Sequence, residues 1–434
     1  MKLTGKLILV AAAIFLLLQL FHPSIPTTPA TAATPKLAAP PQVVAVLRKD
    51  CYACHSDERR LAWFDQIEPA YFLVRKDVLT ARDHLNFSTL GSKPAAAQQA
   101  TLYEAVNMMQ LGAMPLPRFT ALHPDAKVTP EDLAILKAYL APWSTTPLAA
   151  STATMTQPRV NMFAISPEYN GLAFDPSFVD WKPLSFTDRG DNNTFRFILG
   201  NDIAIQAAAS GNIHPWPDGT RFAKIAWQQE KGSDGLIHPG KFVQVELMVK
   251  DARLYKQTAG WGWGRWRGLD LKPYGKDAAF TGECTTCHLP MRDADDVYTL
   301  PISTAASTRE ESLNNAAAAL PPGLSFNPLT WRAITLFVDP AAHTMSALYS
   351  EKEIARGQPP TLGSRLALVT WQQRDDPHWF GGRIPDKPIS VEVVTTGPHP
   401  QYERFDNEKH PPTPPEVITQ REALLLGLAP APLP

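Results

Sequence analysis

Cys51-Tyr-Ala-Cys54-His55 and Cys284-Thr-Thr-Cys287-His288 contain all 4 cysteines of the chain. In each motif, two thiols three positions apart can form thioethers with the two vinyl groups of one porphyrin, and the adjacent histidine lies beneath the iron as its proximal ligand. The pattern calls for two covalently bound c-type haems, held by Cys51, Cys54, Cys284 and Cys287, with His55 and His288 on the irons. The competing uses of such cysteines are an all-thiolate zinc site and redox thiols. Against both, the pairs lie far apart in sequence and a histidine directly follows each one.

The second axial position separates the two sites. Met114 lies in Gly112-Ala-Met-Pro-Leu-Pro117, where prolines hold an extended loop from which a thioether can reach the open face of a haem. It is the expected distal ligand of the first iron, with His84 and His123 as alternatives, whereas Met108 and Met109 read as core fillers. Near the second motif, Met291 follows His288 too closely to pass around the porphyrin edge. An open sixth position is therefore expected there, and Asp277 and Glu283 are the nearby carboxylates available as proton acceptors.

Several elements must position these residues. Thr129-Pro-Glu-Asp132 before Leu133, Leu136 and Leu140 marks a helix start, and Tyr103–Leu111 is also helix-like. A helical c-type haem domain is expected over residues 42–143, followed by a Thr/Ser/Ala/Pro-rich linker over 144–159. Beyond it the texture changes. Asn201–Ala209 reads as an apolar helix ended by Gly211, and Arg221–Gln228 and Lys241–Lys250 read as strands. In the latter, Val243, Val245, Leu247 and Val249 alternate with Gln244, Glu246 and Met248.

Composition bounds the rest. The 434 residues, 44% hydrophobic with a net charge of -1, suit an ordered chain of several domains and offer no basic run for nucleic acid. Lys2 and Lys6 precede an apolar run, Leu7–Phe21, and a Pro/Ala/Thr-rich stretch with Ala30-Thr-Ala32 follows. Residues 1–33 thus read as an export signal or as an uncleaved anchor to the inner membrane. Either places the body in the periplasm, where c-type haem is attached. Many of the 42 prolines lie at junctions and in a C-terminal tail, 401–434.

Two family resemblances follow from these residues. Cys51-Tyr-Ala-Cys-His-Ser56 with Trp63, Pro69, Asn86-Phe-Ser88 and Met114-Pro115 resembles a small bacterial haem-binding domain family. Gly200-Asn-Asp202, His214-Pro-Trp-Pro-Asp-Gly219, Gly260-Trp-Gly-Trp-Gly264, Leu271-Lys-Pro-Tyr-Gly275, Glu283-Cys-Thr-Thr-Cys-His288 and Tyr298-Thr-Leu-Pro301 resemble the cytochrome P-460 family, giving a domain over 160–302. That resemblance implies an open distal site. In the family's enzymatic members, which oxidise hydroxylamine, it also implies a lysine cross-linked to the porphyrin; this lysine maps onto Lys224.

A solvent-facing edge lysine is the plainer use of Lys224, but the chain contains its own comparison. Phe195-Arg-Phe-Ile aligns with Trp331-Arg-Ala-Ile, and Thr220-Arg-Phe-Ala-Lys-Ile-Ala-Trp-Gln-Gln229 with Ser364-Arg-Leu-Ala-Leu-Val-Thr-Trp-Gln-Gln373. This second copy, 320–400, has no cysteine and carries Leu368 in place of Lys224. His378 in its Asp375–Phe380 loop is not expected to be an axial ligand. The expected fold is therefore α+β and multidomain: a small helical haem domain, then two tandem antiparallel-sheet P-460-like domains, the second haemless and able to form a pseudo-dimer within one chain. Arg265 and Arg267 are candidates to pair haem propionates. The expected function is oxidation of hydroxylamine, or a related small nitrogen species, at the open haem, with electrons leaving through the His/Met haem to a soluble c-type cytochrome. A non-enzymatic NO-binding or electron-transfer cytochrome is the alternative.

Overall fold

The computed structural model describes residues 3–27, 37–58, 61–141, 148–149, 160–304, 313–321, 323–354, 360–406 and 414–434. The Ala30–Ala32 stretch and nearly all of the 144–159 linker lie outside the described residues. The chain forms two compact units, 1–142 and 143–434.

The first unit is helical: α1 (Leu3–Gln19), α2 (Pro41–Asp50), α3 (Tyr52–His55), α4 (Ala70–His84), α5 (Phe87–Leu90), α6 (Ala95–Gln110), α7 (Pro117–Thr120) and α8 (Pro130–Leu140). Helix α8 starts where its capping chemistry requires: the Thr129 hydroxyl accepts from Asp132 N at 3.2 Å, and the Asp132 carboxylate accepts from Thr129 N at 2.8 Å. Tyr103 ties α6 to α8 by donating to Leu140 O at 2.6 Å. Met109 is buried beside Val106, as a core filler would be.

This unit also reaches upstream of residue 42. At the end of α1, whose apolar side chains are exposed, the Gln19 amide and the Glu68 backbone exchange hydrogen bonds at 3.0 and 3.1 Å. The His22 ring stacks on Tyr71 at 3.6 Å, Tyr71 donates to Pro23 O at 2.6 Å, and Ile25 is 5% exposed. Arg75 and Arg82 donate to the carbonyls of Ser24 and Pro26. None of the described helices is long and apolar enough to cross a membrane.

Among the described residues, the second unit is built on twelve strands: β1 (Leu148–Ala149), β2 (Lys182–Arg189), β3 (Thr194–Gly200), β4 (Arg221–Lys231), β5 (Ile237–Lys250), β6 (Trp261–Arg267), β7 (Lys272–Pro273), β8 (Arg332–Asp339), β9 (Thr344–Ser350), β10 (Arg365–Asp375), β11 (Gly382–Thr395) and β12 (Gln401–Asp406). Three helices accompany them, α9 (Asp202–Ser210), α10 (Thr281–His288) and α11 (Pro415–Gly427). Helix α9 is capped by the Asn201 side chain and stopped by Gly211 at φ 75°, a left-handed position that favours glycine. Eight strands close a barrel in the order β4-β3-β2-β11-β10-β9-β8-β5, with β4 pairing β5. Apart from the short parallel β1–β4 pair, the pairings are antiparallel.

Two stretches of the barrel match strand for strand. Strands β2 to β5 have 8, 7, 11 and 14 residues, and β8 to β11 have the same four lengths. Both long hairpins shift register around a buried tryptophan, Trp227 and Trp371. The halves are not separate sheets, because the first strand of each pairs with the fourth of the other: β2 with β11, and β8 with β5. One enclosed core results, with Phe186, Trp227 and Val245 from one half packed with Leu336, Trp371 and Val391 from the other.

Three expectations change here. Trp331-Arg332 leads into β8, so its counterpart is Trp181-Lys182 before β2, not Phe195-Arg196, which lies on β3 and corresponds to β9. A four-residue motif is too degenerate to fix register, whereas the longer Thr220–Gln229 match to Ser364–Gln373 is the one the paired strands reproduce. The second copy extends past residue 400, since β12 pairs β11 as β6 pairs β5. The 401–434 segment is folded where described: Leu425 of α11 is 0% exposed, and Trp227 Nε1 donates to Pro432 O at 2.5 Å.

Candidate haem sites

In the first unit, Cys51 precedes α3 and Cys54 and His55 lie on it, so one helical turn presents both thiols and the imidazole. His55 Nδ1 donates to Leu85 O at 3.0 Å, which fixes the tautomer and leaves Nε2 as the free ligand atom. Burial pushes the Cys51 thiol up to about 12 and Cys54 up to about 11. Both thiols therefore stay protonated in the folded chain at physiological pH. Met114 is half-buried on its loop, with its backbone N–H on Met108 O at 3.1 Å. Both ring nitrogens of His123 are engaged, with Phe119 O and with Asp65 at 2.9 Å, and exposed His84 bonds Thr80 O.

The second unit repeats the proximal arrangement on a different scaffold. His288 ends α10, and its Nδ1 donates to Asp296 O at 2.7 Å, again leaving Nε2 free. Burial pushes the imidazole down to about 4, so it remains a neutral ligand at physiological pH. Trp263 and Tyr298 flank the ring at 4.5 and 5.1 Å. The loop carrying Asp296 is clamped from the sheet: Lys250, 5% exposed, reaches both Asp295 oxygens at 2.7 and 2.8 Å, and Trp261 Nε1 donates to Asp295 O.

The Gly-Trp alternation of β6 explains itself in this setting. Trp261 and Trp263 face outward from the barrel, where they pack with Phe222, Trp216 and Val297, and Cys284 packs against that layer. Gly262 and Gly264 face the other side, where an added Cβ would lie 2.4 Å from the Tyr255 ring and 2.6 Å from the Trp266 ring. The run therefore has two uses: Trp263 walls the site and Trp266 belongs to the core.

Lys224 is on the same outward face. Strand β4 is not an edge, lying between β3 and β5, and register places Glu246 opposite Lys224 and Arg265 opposite Glu246. Lys224 Nζ and Arg265 Nε both pair with the Glu246 carboxylate, the latter at 3.0 Å. Burial lowers the lysine, with Glu246 opposing that shift and Arg196 and Arg265 adding to it. Burial alone would raise Glu246, but Lys224 and Arg265 outweigh it and hold the carboxyl at about 2. The trio lies within electrostatic reach of both Cys284 and His288.

The other expected acids do not face this site as buried groups. Asp277 is exposed and caps the turn 278–280 by accepting from Ala279 N at 2.8 Å. Glu283 is exposed and accepts from Tyr274 Oη at 2.8 Å. The acid on this face is Glu246, half-buried with its side chain 16% exposed, which sequence reasoning treated only as the polar phase of a strand. Arg265 and Arg267 stack on Tyr274 at 4.5 and 4.3 Å, and Glu168 anchors that hairpin by accepting from Tyr274 N at 2.8 Å.

In the second half, register puts Leu368 opposite Glu392 and Glu392 opposite Arg404, the counterparts of Lys224, Glu246 and Arg265. The acid is kept and the lysine is not. Glu392, 2% exposed, is held by the Arg421 guanidinium from α11 and by the Tyr402 hydroxyl. Leu425 of the same helix packs on Leu368, Leu366 and Leu348. Helix α11 thus covers the face that corresponds to the cysteine-bearing face of the first half.

The residues present fit haem. Trp263 Nε1 and Arg196 Nε are buried without a hydrogen-bond partner on the cysteine-bearing face, where a porphyrin and its carboxylates would meet them. Among the described residues, no group of three or more His, Cys, Asp or Glu is arranged to hold a metal ion by itself. A Cys-x-x-Cys-His turn with its imidazole oriented through Nδ1 defines a c-type haem protein. Residues 13–142 match a family of haem-binding domains, and residues 176–299 match the Cytochrome P460 family. The chain is accordingly a c-type cytochrome that carries a haem-binding domain followed by a cytochrome P460 domain. No curated protein matches it.

Proposed function

We propose that this is a periplasmic diheme cytochrome that oxidises hydroxylamine, or a related small nitrogen species, at the haem on Cys284, Cys287 and His288. The observation that carries this reading is the Lys224–Glu246–Arg265 row beside Cys284 and His288. The half of the barrel with the cysteines keeps the lysine; the half without them has Leu368 under a covering helix.

A haem iron bound there supplies a Lewis-acidic site for the nitrogen ligand and accepts its electrons. The protein's own groups hold the proximal ligand neutral and oriented, exclude water with Trp263, Trp261 and Phe222, and place a carboxylate nearby. While Lys224 keeps its ammonium, Glu246 is too acidic to be a good base. A lysine nitrogen consumed in a cross-link carries no ammonium, so Glu246 would rise toward its ordinary value and become a competent proton acceptor. His55 and Met114 would hold the iron of a first haem, which would supply an electron-transfer site toward a soluble c-type cytochrome.

The ion pair also favours a second reading. A lysine held as an ammonium by Glu246 is a poor nucleophile, and a chain left in that state would be an NO-binding or electron-transfer cytochrome. Intact-mass analysis with peptide mapping around Lys224, followed by rapid mixing with hydroxylamine, separates the two. Oxidation requires a cross-linked Lys224 peptide and reduction of the Cys284/Cys287 haem before the other. Haem joined through cysteines alone, with no reduction of either haem, refutes it.

Localisation is part of the same proposal. Cleavage after Ala32 would remove Gln19, His22, Pro23 and Ile25, all packed against α4 or Glu68. We therefore favour retention of the N-terminal segment as a membrane anchor, its exposed apolar residues facing lipid.

A further inference from the structure

Tyr298 joins the two halves of the barrel at the proximal histidine. Its ring meets the His288 imidazole edge-on at 5.1 Å and 79°, and its hydroxyl donates to Cys287 O at 2.7 Å. On its other side stands the turn between β10 and β11, from the half without cysteines. There His378 Nδ1 donates to Tyr298 O at 2.7 Å, and the Trp379 ring meets Tyr298 at 5.5 Å and 76°.

The turn is itself fixed. Asp376 accepts from His378 N at 2.9 Å, and Trp379 Nε1 donates to Asp191 at 3.2 Å. The Arg189 guanidinium lies 4.3 Å over the Trp379 ring and pairs with Asp191 at 2.5 Å, both groups being buried. A rigid path therefore runs from Arg189 and Asp191 through Trp379 and Tyr298 to His288. The corresponding turn of the first half, Gly232–Leu236, has neither aromatic nor proline and, with His238, borders a cavity of about 490 Å³ under α11. Of these two corresponding turns, the Asp-Pro-His-Trp sequence thus belongs to the one that contacts Tyr298.

An imidazole ligand is defined by its Nδ1 partner and by the orientation of its ring plane. Asp296 O supplies the first; Trp263 and Tyr298 together supply the second. We propose that the cysteine-free half serves as a positioning element for the haem half, its His378–Trp379 turn setting the ring plane of His288 through Tyr298. This rests on the reading that His288 ligates a haem iron. It gives the second copy a use without a third haem, as the other subunit of a dimer would have.

The test uses the full-length holoprotein with Trp379→Ala, Trp379→Phe and His378→Ala. Haem per chain is measured by intact mass, the iron–histidine bond by resonance Raman spectroscopy of the ferrous protein, and the midpoint of the Cys284/Cys287 haem by potentiometry. Trp379→Ala and His378→Ala should keep full haem yet shift the iron–histidine stretching band and the midpoint, and Trp379→Phe should restore both toward wild type. Unchanged bands and midpoint in both alanine variants at full haem loading would overturn the proposal. If Trp379→Ala does not fold, an unshifted His378→Ala suffices to overturn it. A wild-type chain with no haem on Cys284 and Cys287 refutes the functional reading first, and this proposal with it.

Discussion

In the chain before any cross-link, where Lys224 keeps its ammonium, replacing Glu246 by glutamine removes the one negative charge between Lys224 and Arg265 and leaves two cations, with Arg196 close by. The carboxyl sits at about 2 against an ordinary value of 4.5. At about 1.4 kcal/mol per pKa unit, the neighbouring cations stabilise the folded state by roughly 3 kcal/mol at neutral pH. For a unit of this size, losing that lowers Tm by roughly 5 °C.

The sign fixes the pH window. A carboxyl depressed in the folded state contributes stability above its unfolded value, near 4.5, and that contribution fades as pH falls through about 2. Thermal unfolding followed by circular dichroism should therefore show the full gap between wild type and Glu246→Gln at pH 7, narrowing below pH ~4.5. Lys224→Met combined with Glu246→Gln should recover much of the loss, because the stranded ammonium goes with the acid. A loss under about 0.5 kcal/mol at pH 7, or a gap that does not narrow in acid, would refute the reasoning.

Other outcomes follow from the same contacts. Leu425→Ala should destabilise the second unit by about 2–5 kcal/mol in denaturant titration, although it lies near the C-terminus, because the side chain is fully buried. Lys250→Met strands Asp295 and should cost about 3 kcal/mol, with a broadened iron–histidine band showing that the Asp296 loop has loosened. Intact mass of protein extracted from membranes should correspond to a chain that retains Pro23–Pro26; a mass beginning at Ala33 would refute retention of the anchor.

The parts of this site legible in the sequence were those encoded within a few residues. The two Cys-x-x-Cys-His turns, the Thr129 and Asn201 caps and the Gly211 stop each contain their own chemistry. Lys224 stood out through the family resemblance and through its replacement by Leu368 in the second copy, not through its place on an apolar strand. Its partner did not, because Glu246 is joined to it only by β4–β5 register, which depends on the bulges around Trp227. Asp277 and Glu283 were suggested by nearness along the chain, which says little about direction on a sheet face. Helix α11 was hidden by prolines on both sides of residues 415–427, and its burial depends on a surface made by the second half. Interleaving of the halves was likewise invisible, since periodicity shows which face of a strand is buried and not which strand lies beside it.

The closure of the barrel sets a timetable. During synthesis the first four barrel strands emerge together with α10, but β2 has no β11 beside it and β5 no β8 until the second half follows. Trp227 waits longer still, for the carbonyl of Pro432. Contacts of such sequence separation form late. Cys284 and Cys287 are therefore made on an unfinished sheet, and under the proposed export the attachment motif would stay open during that interval. Shortening the C-terminus would not merely trim the protein; it would leave the chain in that unfinished state.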